Sequence, residues 1–221
     1  MAPQKKLFNY FRNHRFLLLL VFLVAGIALP PYFRNDATSN LLASIIFSLV
    51  ILSGLYAFGK SARFLKAIAG IFLLAIIATW ISFFQSGDSV FKLTRVIFFV
   101  IVFGTLLIKT LISIGRAGEI DLNTIISSLA GYMLIGYIGG FVAIAISIGY
   151  PESFNIPGPV MTFEGIYYSF VTMTTLGYGD ITPVGPQARS LSILLSITGP
   201  MYIAILIAKL VGKYSSQKSV G

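Results

Sequence analysis

No cysteine occurs anywhere in this chain, and histidine occurs once, at His14. The first absence removes disulfide staples and thiolate metal sites. The second leaves no set of side chains for a histidine-based catalytic or metal centre. Charge is scarce too: 10% of residues are Asp, Glu, Lys or Arg, against 57% apolar. So few charges cannot clothe a soluble domain, and the composition points to an integral membrane protein. No apolar stretch carries a paired base and nucleophile, so neither an enzyme nor a cofactor is expected.

What the chain does contain is a series of apolar runs. Phe16–Phe33, Leu41–Phe58 and Ala67–Phe84 are each 18 residues, close to the roughly 20 that cross a bilayer as a helix. Phe91–Ile108 forms a fourth span, with Lys92 and Arg95 near one end and Lys109 at the other; Arg95 and Lys109 are expected to snorkel to opposite interfaces. Lys109–Asp121 is expected to be a linker. Leu122–Gly149 is the fifth and longest span, and its Gly136 and Gly140 form a GxxxG pair suited to close helix packing within one subunit. Tyr150–Val160, rich in proline, is an outer loop. Thr162–Thr174 is too short to cross and reads as a re-entrant helix with Thr162 at its N-cap. Leu191–Leu210 is the sixth span.

The first span has no convincing cleavage site after it and is expected to be retained. Residues 1–15 mix Lys5, Lys6, Arg12 and Arg15 with aromatics, as an interfacial segment does. The net charge of +9 suggests a nucleic-acid partner only until it is mapped. Twelve of the sixteen Lys and Arg fall on one set of span ends with two acids, while the other set holds four cations and five acids. The positive-inside rule then gives a multi-pass cell-membrane protein with both termini cytoplasmic, lipid partners and no nucleic acid. The expected division is a 1–15 interfacial segment, a 16–115 four-helix domain, a 122–211 pore domain and a short 212–221 tail.

Between the re-entrant helix and the last span lies Thr172–Asp180, TMTTLGYGD. A potassium ion that sheds its water needs replacement oxygens, and successive backbone carbonyls aimed one way supply them. Glycine at alternate positions lets the backbone do this, because it enters the left-handed region without steric cost. Gly177 and Gly179 stand at such positions, and Thr175 adds a hydroxyl. Leu176 and Tyr178 are expected to point away from the axis.

On these residues, the stretch from Leu122 to the C-terminus resembles the pore module of tetrameric potassium channels, in particular prokaryotic ones of the six-span type. The resemblance implies an all-α membrane protein with six transmembrane helices, a re-entrant pore helix and a filter loop, assembled as a homotetramer around a central axis. It implies potassium sites at Thr175, Leu176, Gly177 and Tyr178, within a filter that runs to Gly179, with the ion permeating and no cofactor bound. Asp180 follows the second glycine, as is usual in the family. Tyr167 and Tyr168 stand where the family places filter-bracing aromatics, Tyr168 against Tyr178 and Tyr167 near Asp180. Val171 lies behind the filter where some relatives carry a glutamate. Leu176 replaces the commoner valine, which changes packing and keeps the carbonyl. Gly199 matches the inner-helix hinge, and Pro200 after it removes a helix hydrogen bond and favours a kink. Thr174, Ile203, Ile207 and Val211 are candidates to line the cavity and inner gate.

Six spans suggest voltage gating, but the fourth does not. Lys92 and Arg95 begin a basic row that Phe98, Ile101, Gly104 and Leu107 continue without charge. One charge moved through about 100 mV yields only about 2.3 kcal/mol, so several are needed. A potassium channel without steep sensor-type voltage dependence is therefore expected, and the tail is expected to be too short for a regulatory domain. The alternatives are a membrane subunit of a potassium uptake transporter, which would usually carry four non-identical pore loops in one chain, or a less selective cation channel.

Overall fold

In hydrocarbon, each backbone N–H and C=O must be satisfied inside the segment, so apolar runs become helices. The structure, a computed structural model, describes residues 15–33, 36–58, 65–85, 89–117, 121–158 and 160–218. Among these, regular structure is helical apart from an isolated bridge between Phe154 and Pro183. The helices are α1 (Arg15–Ala28), α2 (Asp36–Phe58), α3 (Leu65–Phe84), α4 (Ser89–Arg116), α5 (Leu122–Gly149), α6 (Thr162–Met173) and α7 (Pro186–Lys218), with a 3₁₀ turn at Pro30–Tyr32. By length and apolarity α2, α4, α5 and α7 can each cross a membrane; α1 and α3 carry shorter apolar stretches.

Several boundaries differ from those expected. The first helix stops at Ala28 rather than Phe33, because Pro30 and Pro31 cannot donate to carbonyls four residues back. The second begins at Asp36 rather than Leu41. Its polar first turns suit a helix N-terminus, and Ser39 Oγ donates to the Pro30 carbonyl at 3.0 Å. The fourth runs through Lys109 to Arg116, which shortens the expected linker to 117–121. Apolar residues continue at helical spacing there, with nothing to break the ladder. The last helix starts at Pro186, a residue suited to the first helical position, and continues to Lys218, so most of the expected tail extends it. The interfacial segment 1–14, Lys60 and Arg63 lie outside the described residues.

Within lipid, helices associate through close packing rather than through escape from water. Two contacts organise this chain. In the first, Phe47 of α2, Phe99 and Phe103 of α4, and Tyr137 and Phe141 of α5 form a buried aromatic cluster. Ring centroids lie 4.9 Å apart for Phe99–Phe141, 5.0 Å for Phe47–Phe99 and 5.4 Å for Phe103–Tyr137. Tyr137 also donates to the Leu23 carbonyl of α1 at 2.6 Å. α1, α2 and α4 are thereby fastened to α5 of their own chain.

In the second, α6 sits on the glycine face of α5. A Cβ on Gly136 would meet the Phe170 ring at 2.4 Å, and one on Gly140 would meet the Ile166 backbone at 2.7 Å. The GxxxG pair thus packs helices within one chain. α7 closes the unit: Tyr202 donates to the Ser128 carbonyl of α5 at 2.8 Å, and Lys209 Nζ donates to the Ile114 carbonyl of α4 at 2.6 Å.

Candidate functional site

α6 has 12 residues, about 18 Å of helix, which is too short to cross a core roughly 30 Å thick. Its backbone is acceptable at depth because α5 and α7 enclose it. Met161, not Thr162, holds the N-cap position, and its N–H donates to Glu164 Oε2 at 2.8 Å. The Thr162 hydroxyl is used otherwise: it accepts from Arg95 Nη2 at 3.2 Å. Arg95 therefore does not snorkel away. It is half-buried, and its Nε is enclosed without a partner among the described residues. Lys109 likewise stays with the protein, its Nζ 5.8 Å from the centre of the Phe58 ring.

The end of α6 folds the next strand against itself. The Leu176 and Gly177 N–H groups both donate to the Val171 carbonyl, at 3.1 and 3.2 Å, and the Thr175 N–H donates to Thr172 at 3.0 Å. The Thr174 hydroxyl turns back to the Phe170 carbonyl at 2.7 Å. Val171 thus acts on the strand through its backbone. Beyond this anchor, φ is positive at Thr175 (60°), Gly177 (56°) and Gly179 (82°), and not at Leu176 or Tyr178. Such alternation turns over every second peptide plane, bringing successive carbonyls toward one side. No donor among the described residues is bonded to the carbonyls of Thr175, Leu176, Gly177 or Tyr178. The whole strip 174–180 is exposed in the single chain.

The outer end of the strand is held by side chains. Tyr167 donates its hydroxyl to Asp180 Oδ2 at 2.5 Å, and the Ile181 N–H donates to Asp180 Oδ1 at 3.0 Å. The Tyr167 hydroxyl bond, more than the backbone one, holds the Asp180 carboxyl below the usual carboxylate range. Asn155 was not evident in the sequence as a site residue. It donates to the Asp180 carbonyl at 3.2 Å and accepts from the Thr182 N–H at 2.6 Å. A lone asparagine 25 residues away from its partner gives no local signal.

Tyr168 departs from expectation. Within one chain it does not meet Tyr178, whose side chain is exposed. Tyr168 is buried, its ring edge-on to Phe154 at 5.0 Å and its hydroxyl paired with Ser192 Oγ of α7. Gly199 also has a reason the sequence did not suggest. A Cβ there would stand 1.9 Å from the Met173 carbonyl oxygen, so the end of α6 rests on α7 at this point. α7 is helical through Gly199 and Pro200. Ile203 and Ile207 lie exposed on α7, while the Val211 side chain is outside the described set.

This arrangement, a short helix presenting a strand of unbonded carbonyls between two long apolar helices, covers the segment that one family profile matches, residues 122–216. That family is the ion channel family, and the segment is similar to it. The chain is 42% identical over 48 residues to the two-pore potassium channel 3 of Arabidopsis thaliana, covering 22% of this chain and 11% of that protein. It is 32% identical over 79 residues to a voltage-gated potassium channel of Aeropyrum pernix, 36% of this chain and 26% of that one. It is 35% identical over 52 residues to the human potassium voltage-gated channel subfamily A member 10, 24% and 10% of the two chains. The chain thus spans about a quarter or less of the length of these relatives. No solved structure matches it.

Proposed function

We propose that this protein is a potassium-selective channel in which four copies meet around an axis and conduct the ion passively. The observation that carries the reading is the strand Thr175–Gly179: alternate left-handed residues with four successive carbonyls that no protein donor occupies. Such oxygens replace a hydration shell when they converge from several chains. One chain supplies one strand, so the assembly is a homotetramer. The exposed apolar residues Ile193, Leu194, Ile197, Met201 and Ile205 of α7 support this, since one chain leaves them uncovered. Each chain crosses the membrane six times, with α1 and α3 as the shorter crossings, in a cell membrane with both termini cytoplasmic. Lys109, Arg116 and Lys209 at the inner ends, and Glu152, Glu164 and Asp180 at the outer ends, fit that orientation. The α6 C-terminus aims its negative dipole end toward the axis and favours a cation there.

The test is flux from proteoliposomes loaded with potassium or sodium, with barium as blocker. Potassium is expected to pass in large preference to sodium. Gly177→Ala is expected to abolish conduction or its selectivity, because a side chain at that φ is strained. Wild-type selectivity in the variant would contradict the mechanism.

A further inference from the structure

We propose that Asn155, in the loop after α5, is the positioning residue that ends the carbonyl strip and holds its outer end in the shape that binds potassium. The proposal rests on the channel reading above. Along the strip φ is positive at every second residue from Thr175 to Gly179, and the series stops there, since Ile181 is not left-handed. The carbonyls of Thr175 to Tyr178 meet no donor among the described residues. The Asp180 carbonyl does meet one, the Asn155 side-chain amide at 3.2 Å. A carbonyl engaged by that amide is withheld from an ion.

The amide is itself held in place. The Asn155 N–H donates to the Thr182 carbonyl at 3.1 Å, and Phe154 bridges antiparallel to Pro183. The Val184 and Gly185 N–H groups both donate to the Ser153 carbonyl, at 2.8 and 3.1 Å. Ser153 and Phe154 are buried; the Ser153 hydroxyl donates to the Tyr150 carbonyl at 2.6 Å, and the Phe154 ring lies 5.0 Å from that of Tyr168. The loop therefore runs beside residues 180–185 as a fixed rail.

The side chain suits its position chemically. Asn155 Oδ1 accepts from the Thr182 N–H at 2.6 Å, which turns its nitrogen toward Asp180. A carboxamide can accept and donate at once, and an ionised carboxylate can only accept. Aspartate here would keep the bond from Thr182 and set a charged oxygen against the Asp180 carbonyl. The Asp180 carboxyl is held separately, by Tyr167 and the Ile181 N–H, so α6 grips this residue by its side chain and the loop grips it by its main chain. Val171, behind the strand, has no polar side chain to share the task. Carbonyls from four chains facing one axis repel one another when no cation lies between them. A strip anchored beforehand in its binding shape takes up the ion at lower concentration.

The experiment is calorimetric titration of the purified full chain in detergent with potassium chloride, choline chloride holding the ionic strength constant. Thermal unfolding in saturating potassium is recorded beside it. Asn155→Asp is expected to raise the half-saturating potassium concentration roughly fivefold, the effect of one net hydrogen bond. It is expected to unfold near the wild-type temperature, because the Thr182 bond remains. Asn155→Ala is expected to weaken potassium binding to a similar extent and to unfold earlier. Attraction by an added carboxylate would by itself lower the half-saturating concentration, so the direction of the change in Asn155→Asp separates a lost anchor from a changed field. Wild-type or tighter potassium binding in either variant would overturn the assignment of Asn155 and leave the channel reading standing. A wild type that binds no potassium would refute that reading, and this proposal with it.

Discussion

Thr175 is the most costly residue of the Thr175–Gly179 strand. A β-branched residue at a φ of 60° carries strain of roughly 1–3 kcal/mol. It is held there because the amides on either side of the turn are pinned to the end of α6. The two glycines were legible from the GYG spelling. The third left-handed position was not, since threonine disfavours that conformation and only the pinned backbone reveals it. Tyr167 and Asp180 give a prediction with a definite sign. The Tyr167 bond lowers the Asp180 pKa, so its contribution is complete above the ordinary carboxylate range and is lost as pH falls through the lowered value. In Tyr167→Phe the Asp180 carboxyl is expected to titrate at higher pH, and the outer end of the strand to loosen earlier on acidification. Carboxyl carbon NMR of Asp180 in the two proteins checks this; coincident titrations would refute it.

Helices were easier to read than their ends. Apolar runs announced every long segment, because composition alone decides what survives in lipid. Boundaries failed where a helix continues past polar or charged residues, as in Asp36–Asn40 and beyond Lys109. No sequence pattern revealed the loop contacts of Asn155 or the seat of Tyr168 on Ser192, since both join distant segments. Gly199 shows the same limit: the family resemblance suggested a hinge and said nothing of its contact, a helix crossing with no room for a methyl group. Gly199→Ala is expected to lower the stability of the fold by about 1–3 kcal/mol, the usual cost of overpacking. Thermal unfolding in detergent measures it. Pro200→Ala, which adds a backbone donor and removes ring contacts from an exposed face, is expected to be far milder. An unshifted melting profile for Gly199→Ala would show that α6 does not bear on α7 there.

Taken as a whole, the molecule is a four-helix unit fastened to the unit that carries the candidate site, and among the described residues the fastening is aromatic rather than ionic. Tyr137→Phe is expected to cost about 1 kcal/mol, one buried hydrogen bond, read from the thermal midpoint; no change would mean that the bond to Leu23 holds nothing. Of the four cations on α4, Arg95 is engaged with Thr162 and Lys109 with Phe58. Conductance is therefore expected to vary shallowly with voltage, and planar-bilayer recordings check it. A steep curve that flattens in Arg95→Gln would overturn this view. The short joint between α4 and α5 has a genetic corollary. In the proposed tetramer each chain would carry its own peripheral helices on its own quarter of the pore, so damage to them would be inherited quarter by quarter. In cells that co-express intact and crippled copies, loss should scale with the number of crippled copies per particle, and no single copy should silence its three companions.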